Sequence, residues 1–321
     1  MRGRITQAAR LLAAACATLL GAGIGVASAQ ESALAQNERM LRDPAMPGVL
    51  VAGHRACWKQ ASENSIDGIR ACIALGIDII EIDVRATSDG KLVLMHDATV
   101  DRMTDGHGKV SELTFDEIRK LRLKSANGGK GITTLTDRQV PTLEEALAAA
   151  KNHILIDMDA KAPVQERVFE AVRKVGMTDQ VVMKMQEDPD AAPLAGSKFA
   201  FQSQFMPVIF ACDAKLQIGT FCTRSLGDLL PRYARYHPVG FELNFENPDF
   251  VTPEVAAAAR KMARLWVNSL QPAQAGGVSD ATALDDPDGV WGKLIDQGFT
   301  VILTNHPEEL TAYLRRRGLH R

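Results

Sequence analysis

Two histidines, one arginine and two acidic residues lie close together in the first third of the chain: His54, Arg55, Glu81, Asp83 and His96. Histidine takes and releases a proton near neutral pH, and arginine binds phosphate oxygens through paired N–H groups. A pair of carboxylates can bind one hard divalent cation. This set of residue types predicts a site that cleaves a phosphodiester with the help of a metal ion.

The two carboxylates are spaced to share one face of a strand. Ile80, Ile82 and Val84 alternate with Glu81 and Asp83, and side chains two residues apart on a strand point the same way. The apolar run around them predicts a buried strand, where ionised carboxylates are rare without a partner or a metal. We therefore predict that Glu81 and Asp83 bind one cation, Mg2+ or Ca2+.

Runs with strand character alternate with helical stretches along the chain. The predicted strands are residues 49–53, 77–84, 154–159, 181–185, 206–210, 240–245, 264–268 and 300–304. This order favours an α/β fold of the (β/α)8 type, the TIM barrel, over an open doubly wound sheet, because no glycine-rich nucleotide loop follows the first strand. Catalytic residues of such barrels lie at the carboxyl ends of the strands, where the residues named above fall.

One more extended segment, residues 92–96, follows the second barrel strand too soon for a parallel crossover. A turn at residues 88–90 predicts that the segment folds back and carries His96 towards Glu81 and Asp83. We predict that residues 97–140 form a small inserted subdomain that shapes the mouth of the pocket.

Several short motifs occur in a fixed order along the chain. They are His54-Arg55, Glu63-Asn64, residues 81–84, Asp89-Gly90 and residues 92–97, followed more weakly by residues 141–145, 156–161, 266–268 and 302–307. In order and spacing this set resembles the glycerophosphodiester phosphodiesterase family, and it covers nearly all of a domain at residues 30–321. The resemblance implies metal-dependent hydrolysis of glycerophosphodiesters to an alcohol and glycerol 3-phosphate on a TIM barrel.

The resemblance also implies roles for individual residues. His54 and His96 are the expected catalytic acid and base, in either order, and the attacking group is either water or a hydroxyl of the substrate. The expected substrate-binding residues are Arg55, Lys161, Glu63 and Trp266. A structural role stays open for Glu63 and Asn64, because residues 62–65 also fit an ordinary helix cap.

A third metal ligand is expected on the strand at residues 154–159, where Asp157 and Asp159 share one face. We predict Asp159, because it lies nearer the end of the strand and Lys161 follows two residues later, as in the family. Asp157 is the alternative, or a residue that orients a ligand. Two other positions depart from the family pattern, which has glycine at Ala56 and aspartate at Asn305.

The first 29 residues predict a secretory signal peptide. Arg2, Arg4 and Arg10 precede an apolar stretch, and residues 27–29 form a small-residue cleavage site. A lipoprotein anchor at Cys16 is disfavoured, because the leucine before it stands one position too far away. The sequence thus predicts export into a bacterial periplasm without a stable membrane anchor.

Charge and cysteine content narrow the partners and the compartment. A net charge of −2 without basic clusters argues against nucleic acid as a partner, and no feature implies a protein partner beside the small substrate. Four cysteines follow Cys16, and an oxidising compartment permits disulfides. Cys212 could pair with Cys222, and Cys57 with Cys72, with free buried thiols as the alternative.

Two other functions stay open on the sequence alone. One is phospholipase D-like cleavage of a lysolipid or another phosphodiester. The other is a barrel that binds phosphorylated ligands without catalysis. The presence of both His54 and His96 argues against the second.

Overall fold

The computed structural model describes residues 31–161, 163–213 and 221–321. The predicted signal peptide, residues 1–29, lies outside the described residues. Within them, no helix combines the length and the apolar character needed to cross a membrane.

Eight parallel strands close into a barrel, which confirms the predicted fold. The strands of the whole structure are β1 Leu50–Gly53, β2 Ile79–Ala86, β3 Leu92–Leu94, β4 Arg122–Lys124, β5 Leu135–Gln139, β6 Leu155–Ala160, β7 Val181–Met185, β8 Gln204–Phe210, β9 Gly240–Asn244, β10 Arg264–Asn268 and β11 Val301–Thr304. The barrel order is β1-β2-β6-β7-β8-β9-β10-β11, and β11 pairs with β1 to close it.

Helices connect these strands and cover the outside of the barrel. They are α1 Ala33–Arg42, α2 Ile66–Leu75, α3 Phe115–Ile118, α4 Leu143–Ala150, α5 Gln165–Lys174, α6 Ala192–Ala195, α7 Lys198–Gln202, α8 Leu226–Leu229, α9 Pro253–Ala259, α10 Asp280–Ala283, α11 Lys293–Asp296 and α12 Pro307–Arg316. Local sequence sets their ends: Ser65 caps α2 by accepting from the Gly68 N–H, and Gly76, at φ 71°, ends it. Thr142 and Glu145 form a capping box at α4.

The inside of the barrel is packed with side chains that alternate along the strands. This inner cluster comprises Met40, Leu41, Leu50, Ala52, Ile79, Leu155, Val182, Met206, Trp266, Val301 and Leu303. Met40 and Leu41 belong to α1, so this helix closes the amino-terminal end of the barrel. The opposite end stays open for a cavity.

The segment after β2 turns back as predicted. β3 runs antiparallel to the end of β2, with Val84 opposite Leu94. Residues 97–140, predicted as an inserted subdomain, contain α3 and the two-stranded sheet of β4 and β5. A separate apolar cluster around Val100, Met103 and Leu123 supports this segment.

Two disulfides lie among the described residues. Cys57 is bonded to Cys72, with Cα atoms 5.7 Å apart, and Cys212 to Cys222, with Cα atoms 5.0 Å apart. Both pairings considered from the sequence are confirmed, and the free-thiol alternative is wrong. The first bond ties the loop after β1 to α2.

Candidate active site

Three carboxylates meet at the carboxyl ends of β2 and β6. Asp83 of β2 pairs in register with Asp159 of β6, and Glu81 precedes Asp83 by two residues. One oxygen of each side chain lies within 4.8 Å of the others. The structure thus brings the predicted metal ligands together. Asp157, the alternative ligand, instead accepts a 3.0 Å hydrogen bond from Lys184.

The charges of this cluster are only partly balanced by the protein. Burial, and then the neighbouring Asp83, raise the pKa of Glu81 well above its ordinary value. Burial also opposes ionisation of Asp83, but the ammonium of Lys161 holds the pKa of that carboxyl well below its usual range. Lys161 Nζ lies 2.7 Å from Asp83 Oδ1 and 2.5 Å from Asp159 Oδ2. Three oxygen donors with excess negative charge fit a hard divalent cation.

Asn64 fastens the loop after β1 to the edge of β2. Its Oδ1 accepts a 2.9 Å hydrogen bond from the Asp83 backbone N–H, and its Nδ2 donates to Asp83 Oδ2 at 2.8 Å. The backbone of Asn64 is left-handed, at φ 52°. Asn64 therefore fills the gap between β1 and β3 along β2 and fixes the orientation of the Asp83 carboxylate. The actual cap of α2 is Ser65.

Glu63 does not line the cavity, and the prediction that it binds substrate is wrong. Its side chain is 1% exposed and accepts hydrogen bonds from Arg55 Nη1 at 3.0 Å and Arg102 Nη2 at 2.6 Å. A buried carboxylate needs such cations, so Glu63 holds Arg55 at the cavity. Arg102 belongs to the inserted segment, and no sequence motif pointed to it.

His54 is held by the loop after β11. Its Nδ1 lies 2.8 Å from Asn305 Oδ1, which also accepts a 2.7 Å hydrogen bond from Trp58 Nε1. Since an indole N–H can only donate, the Asn305 atom between them must be the acceptor oxygen. His54 Nδ1 therefore carries the proton, and Nε2 has the lone pair. Burial, with the charge of Arg55, lowers the pKa of His54 to about 3.

Asp280 fixes Asn305 in turn. The Asp280 carboxylate, 2% exposed, accepts from the Asn305 backbone N–H at 2.6 Å, from Ser269 Oγ at 2.6 Å and from Thr304 Oγ1 at 2.9 Å. Burial raises the pKa of Asp280. No sequence motif pointed to Asp280, which begins the short helix α10 between β10 and β11.

His96, which follows β3, lines the same cavity as His54. Its Nδ1 lies 2.7 Å from Asp97 Oδ1, and Arg102 Nε donates to Asp97 Oδ2 at 2.7 Å. Burial opposes the charge of Asp97, but Arg102 and His96 lower the pKa of Asp97 to about 2. Arg85 donates two hydrogen bonds, of 3.0 Å and 2.8 Å, to the backbone carbonyl of His96. Asp97 therefore orients the ring of His96.

One cavity of about 870 Å³ lies at the carboxyl ends of the strands. His54, Arg55, His96 and Lys161 line it together with the three carboxylates. Trp266 does not: it is fully buried in the inner cluster, one layer below Asn268 on the same face of β10. The prediction that Trp266 contacts substrate is wrong, and Asn268 is the residue that reaches the cavity from this strand.

The rest of the cavity wall is also polar, and the sequence did not predict that these residues lie together. Lys184 Nζ lies 3.0 Å from Asp157 Oδ2 and 3.2 Å from Glu242 Oε2. Asn244 and Asn268 also line this wall. Glu242 and Asn244 alternate along β9 with the buried Phe241 and Leu243, whereas no sequence motif pointed to Lys184.

Comparisons with known proteins agree with this geometry. The model of the glycerophosphoryl diester phosphodiesterase family matches residues 54–227, and a model described as a domain of unknown function matches residues 205–314. Human glycerophosphodiester phosphodiesterase 1 is 42% identical over 125 residues, which cover 39% of this chain and 37% of the human protein. A glycerophosphodiester phosphodiesterase of Caldanaerobacter subterraneus subsp. tengcongensis is 33% identical over 141 residues, covering 42% of this chain and 56% of that protein.

Solved structures share the fold at lower identity. A glycerophosphoryl diester phosphodiesterase from Parabacteroides distasonis superposes with a TM-score of 0.67 at 19% identity, covering 89% of this chain and 93% of that one. A putative one from Silicibacter pomeroyi gives a TM-score of 0.63 at 20% identity, covering 88% and 99%. Since the family model spans more than half of the sequence, the chain belongs to the glycerophosphoryl diester phosphodiesterase family.

Proposed function

We propose that this chain hydrolyses glycerophosphodiesters to glycerol 3-phosphate and an alcohol. The observation that carries the proposal is the meeting of His54 and His96 with a three-carboxylate cluster in one cavity. Family membership supports the reaction class. One structural relative, an Oleispira antarctica phosphodiesterase with a TM-score of 0.58 and 18% identity, was solved in complex with the product sn-glycerol-3-phosphate.

In this proposal Glu81, Asp83 and Asp159 hold one divalent cation, Mg2+ or Ca2+. The donor set is made of oxygens only, as both ions prefer. Such a cation would bind a non-bridging phosphate oxygen and act as a Lewis acid. Asn64 orients Asp83, and the Arg55 backbone N–H donates to Glu81 Oε2 at 2.9 Å, so two of the ligands are held in place.

Arg55 and Lys161 supply positive charge to the phosphate. Arg55 is anchored through Nη1 to Glu63, while its Nε lies 3.9 Å from Asp83 Oδ2. Lys161 bridges Asp83 and Asp159. Both cations therefore stand beside the carboxylate cluster, where they can stabilise charge that develops on the phosphoryl oxygens.

The two histidines divide the proton transfers because their surroundings differ. His54 is uncharged near neutral pH, and its Nδ1–H is bound to Asn305, so its Nε2 can accept the proton of the attacking hydroxyl. Asp97 faces Nδ1 of His96 and stabilises an imidazolium. His96 can then protonate the leaving oxygen. The assignment is base for His54 and acid for His96.

The test is release of glycerol 3-phosphate by the purified protein and its variants. We expect His54→Ala and His96→Ala each to lower kcat by about 100-fold or more, with binding of glycerol 3-phosphate retained in calorimetry. The control is His107→Ala, because the side chain of His107 is 87% exposed and distant from the lining of the cavity. Binding without turnover by the unaltered protein would overturn the proposal in favour of a non-catalytic barrel.

A second substrate separates acid from base. A glycerophosphodiester with a nitrophenol leaving group needs no proton on departure, so it should restore turnover in His96→Ala and leave His54→Ala inactive. Restoration in His54→Ala alone would reverse the assignment. Turnover of lysolipids in place of water-soluble diesters would move the substrate class to phospholipase D-like cleavage.

We also propose that the protein is exported, as its amino-terminal sequence predicts. The two disulfides among the described residues support an oxidising compartment. Fractionation of producing cells should find a mature form that begins near residue 30 outside the cytoplasm. A full-length form confined to the cytoplasm would contradict export.

A further inference from the structure

The cavity wall across the barrel from the carboxylate cluster is made of amide side chains. Asn244 ends β9, Asn268 ends β10 and Gln274 follows in the next loop; they are 0%, 5% and 7% exposed. Around the barrel, β9 stands four strands away from β2, and β10 stands four strands away from β6. A ligand whose phosphate lies at the carboxylates would therefore extend towards these amides.

The hydrogen bonds of this wall fix which way the amides point. Asn268 Nδ2 donates to Glu242 Oε1 at 2.8 Å, and Gln274 Nε2 donates to Asn244 Oδ1 at 3.2 Å. A carboxylate only accepts, so the amide nitrogens of Asn268 and Asn244 must face Glu242. Asn244 Oδ1 then points to Gln274 and must accept from its amide nitrogen. As a result Asn268 Oδ1 and Gln274 Oε1 are buried acceptors without a hydrogen-bond partner among the described residues. Buried acceptors of this kind are rare and call for a donor.

The amide wall itself offers little to a cationic head group; Glu187 lines the cavity just after the end of β7, outside this wall. Lys184 lies within ion-pair distance of both Asp157 and Glu242, so it offsets the negative charge there. Phe210 is the sole aromatic residue among the described residues that line the cavity. Quaternary ammonium groups are bound by aromatic cages, and none is formed by the described lining.

We propose that the amide wall binds the alcohol half of the substrate and selects a polyhydroxylated alcohol, such as glycerol or inositol. This inference rests on the proposed function. Hydroxyl groups supply the donors that Asn268 and Gln274 lack. The volume of about 870 Å³ lies towards the upper end of ligand cavities and leaves room for a ring-sized alcohol beside the glycerophosphate. Gln186 and Gln271 add amides at the more exposed part of the lining.

The experiment compares kcat/KM for four diesters that share the glycerophosphate half: glycerophosphoinositol, glycerophosphoglycerol, glycerophosphoethanolamine and glycerophosphocholine. We expect the two polyol diesters to exceed the choline diester by at least about 10-fold, because a site built to hydrogen-bond hydroxyls discriminates against ligands without them. Asn268→Leu and Gln274→Leu should lower kcat/KM for the polyol diesters much more than for the choline diester, and so remove most of this preference. Gln202→Ala, at an exposed amide of α7, is the control.

Equal kcat/KM on all four diesters would overturn the inference, and so would a preference for ethanolamine. An equal loss on every substrate in the leucine variants, with an unchanged melting temperature, would assign the amides to the glycerophosphate half. If no diester is turned over, the proposed function fails, and calorimetry with free myo-inositol and choline decides the inference. Binding of inositol that is lost in Asn268→Leu supports it, whereas equal or absent binding of the two contradicts it.

Discussion

His54 and Trp58 share one amide oxygen, that of Asn305. The shared oxygen fixes the tautomer of His54, and the uncharged amide gives an imidazolium no opposite charge at Nδ1. The charges that face His54 from neighbouring elements are those of Arg55, Asp83 and His96. Burial and Arg55 outweigh Asp83, so His54 stays neutral over the working range of pH.

Replacing Asn305 with aspartate should change that balance. In Asn305→Asp a carboxylate oxygen can still accept from both His54 and Trp58, but the added negative charge beside Nδ1 favours the protonated imidazole. We expect the pKa of His54 to rise from about 3. As the base must be deprotonated to act, the acid limb of the kcat/KM profile should move to higher pH. NMR titration of His54 measures the first effect, and the pH profile the second.

The control for this change is Asn247→Asp, which adds the same charge outside the lining of the cavity. It should leave both readouts unchanged. A His54 pKa and an acid limb that do not move in Asn305→Asp would contradict the role given to the amide.

The positions of site residues could be predicted where the alternation along a strand determined them. The alternation at Glu81 and Asp83 placed both carboxylates correctly, because register on a strand is a local property. Trp266 was misplaced because alternation gives the face of a side chain and not its depth in the barrel. Glu63 was misplaced because its partner Arg102 lies 39 residues away, in the inserted segment.

Among the elements, the loop after β1 is the most constrained. Arg55, Ala56 and Cys57 all have left-handed backbones, at φ 48°, 56° and 54°, which is unfavourable for residues other than glycine. A Cβ on Gly68 of α2 would overlap the Ala56 carbonyl oxygen, so the loop also packs closely on this helix. The Cys57–Cys72 disulfide joins the same two elements.

Removal of this disulfide should therefore affect both stability and catalysis. For Cys57→Ser with Cys72→Ser we expect the free energy of unfolding to fall by about 3 kcal/mol, as for a closed loop of some fifteen residues. The kcat should also fall, because the loop carries His54 and Arg55. Chemical denaturation and the release of glycerol 3-phosphate measure the two effects.

The matched comparison is Cys212→Ser with Cys222→Ser, because that pair follows β8 and carries none of the proposed catalytic side chains. It should lower stability more than kcat. Equal effects of the two double variants on kcat would show that the first disulfide has no special role at the site.

The order of elements was more predictable than their contacts. All eight barrel strands were located from apolar runs. The seven residues between the predicted strand ending at residue 84 and the segment starting at residue 92 excluded a parallel crossover. The pairing of Asn64 with β2 could not be predicted. Its side chain, and not the backbone of a neighbouring strand, accepts the hydrogen bond from the Asp83 N–H. No local pattern encodes that contact.

In the molecule as a whole, the two ends of the barrel have different roles, one in forming the cavity and the other in closing the barrel. The carboxyl ends of the strands hold the cavity, and α1 closes the other end. Arg264, at the start of β10, is fully buried and donates to the carbonyls of Met40 at 2.6 Å, Asp43 at 2.9 Å and Met46 at 2.9 Å. Burial lowers the pKa of Arg264 to about 10.

Arg264→Leu should test this separation. The variant leaves several carbonyls without donors, and we expect the free energy of unfolding to fall by about 3 kcal/mol, with kcat unchanged well below the melting temperature. Arg260→Leu, at an exposed position nearby, should change neither quantity. A large loss of kcat in Arg264→Leu, in protein that is still folded, would contradict the view that the amino-terminal end of the barrel serves stability alone.

The central claim is tested most directly by release of glycerol 3-phosphate after chelation and metal return. We predict that EDTA abolishes release by the purified protein and that Mg2+ or Ca2+ restores it. In Asp159→Asn the same ion should restore little, because one of three carboxylate ligands is gone. Full release in EDTA, or an Asp159→Asn variant as active as the unaltered protein, would contradict a catalytic metal at Glu81, Asp83 and Asp159.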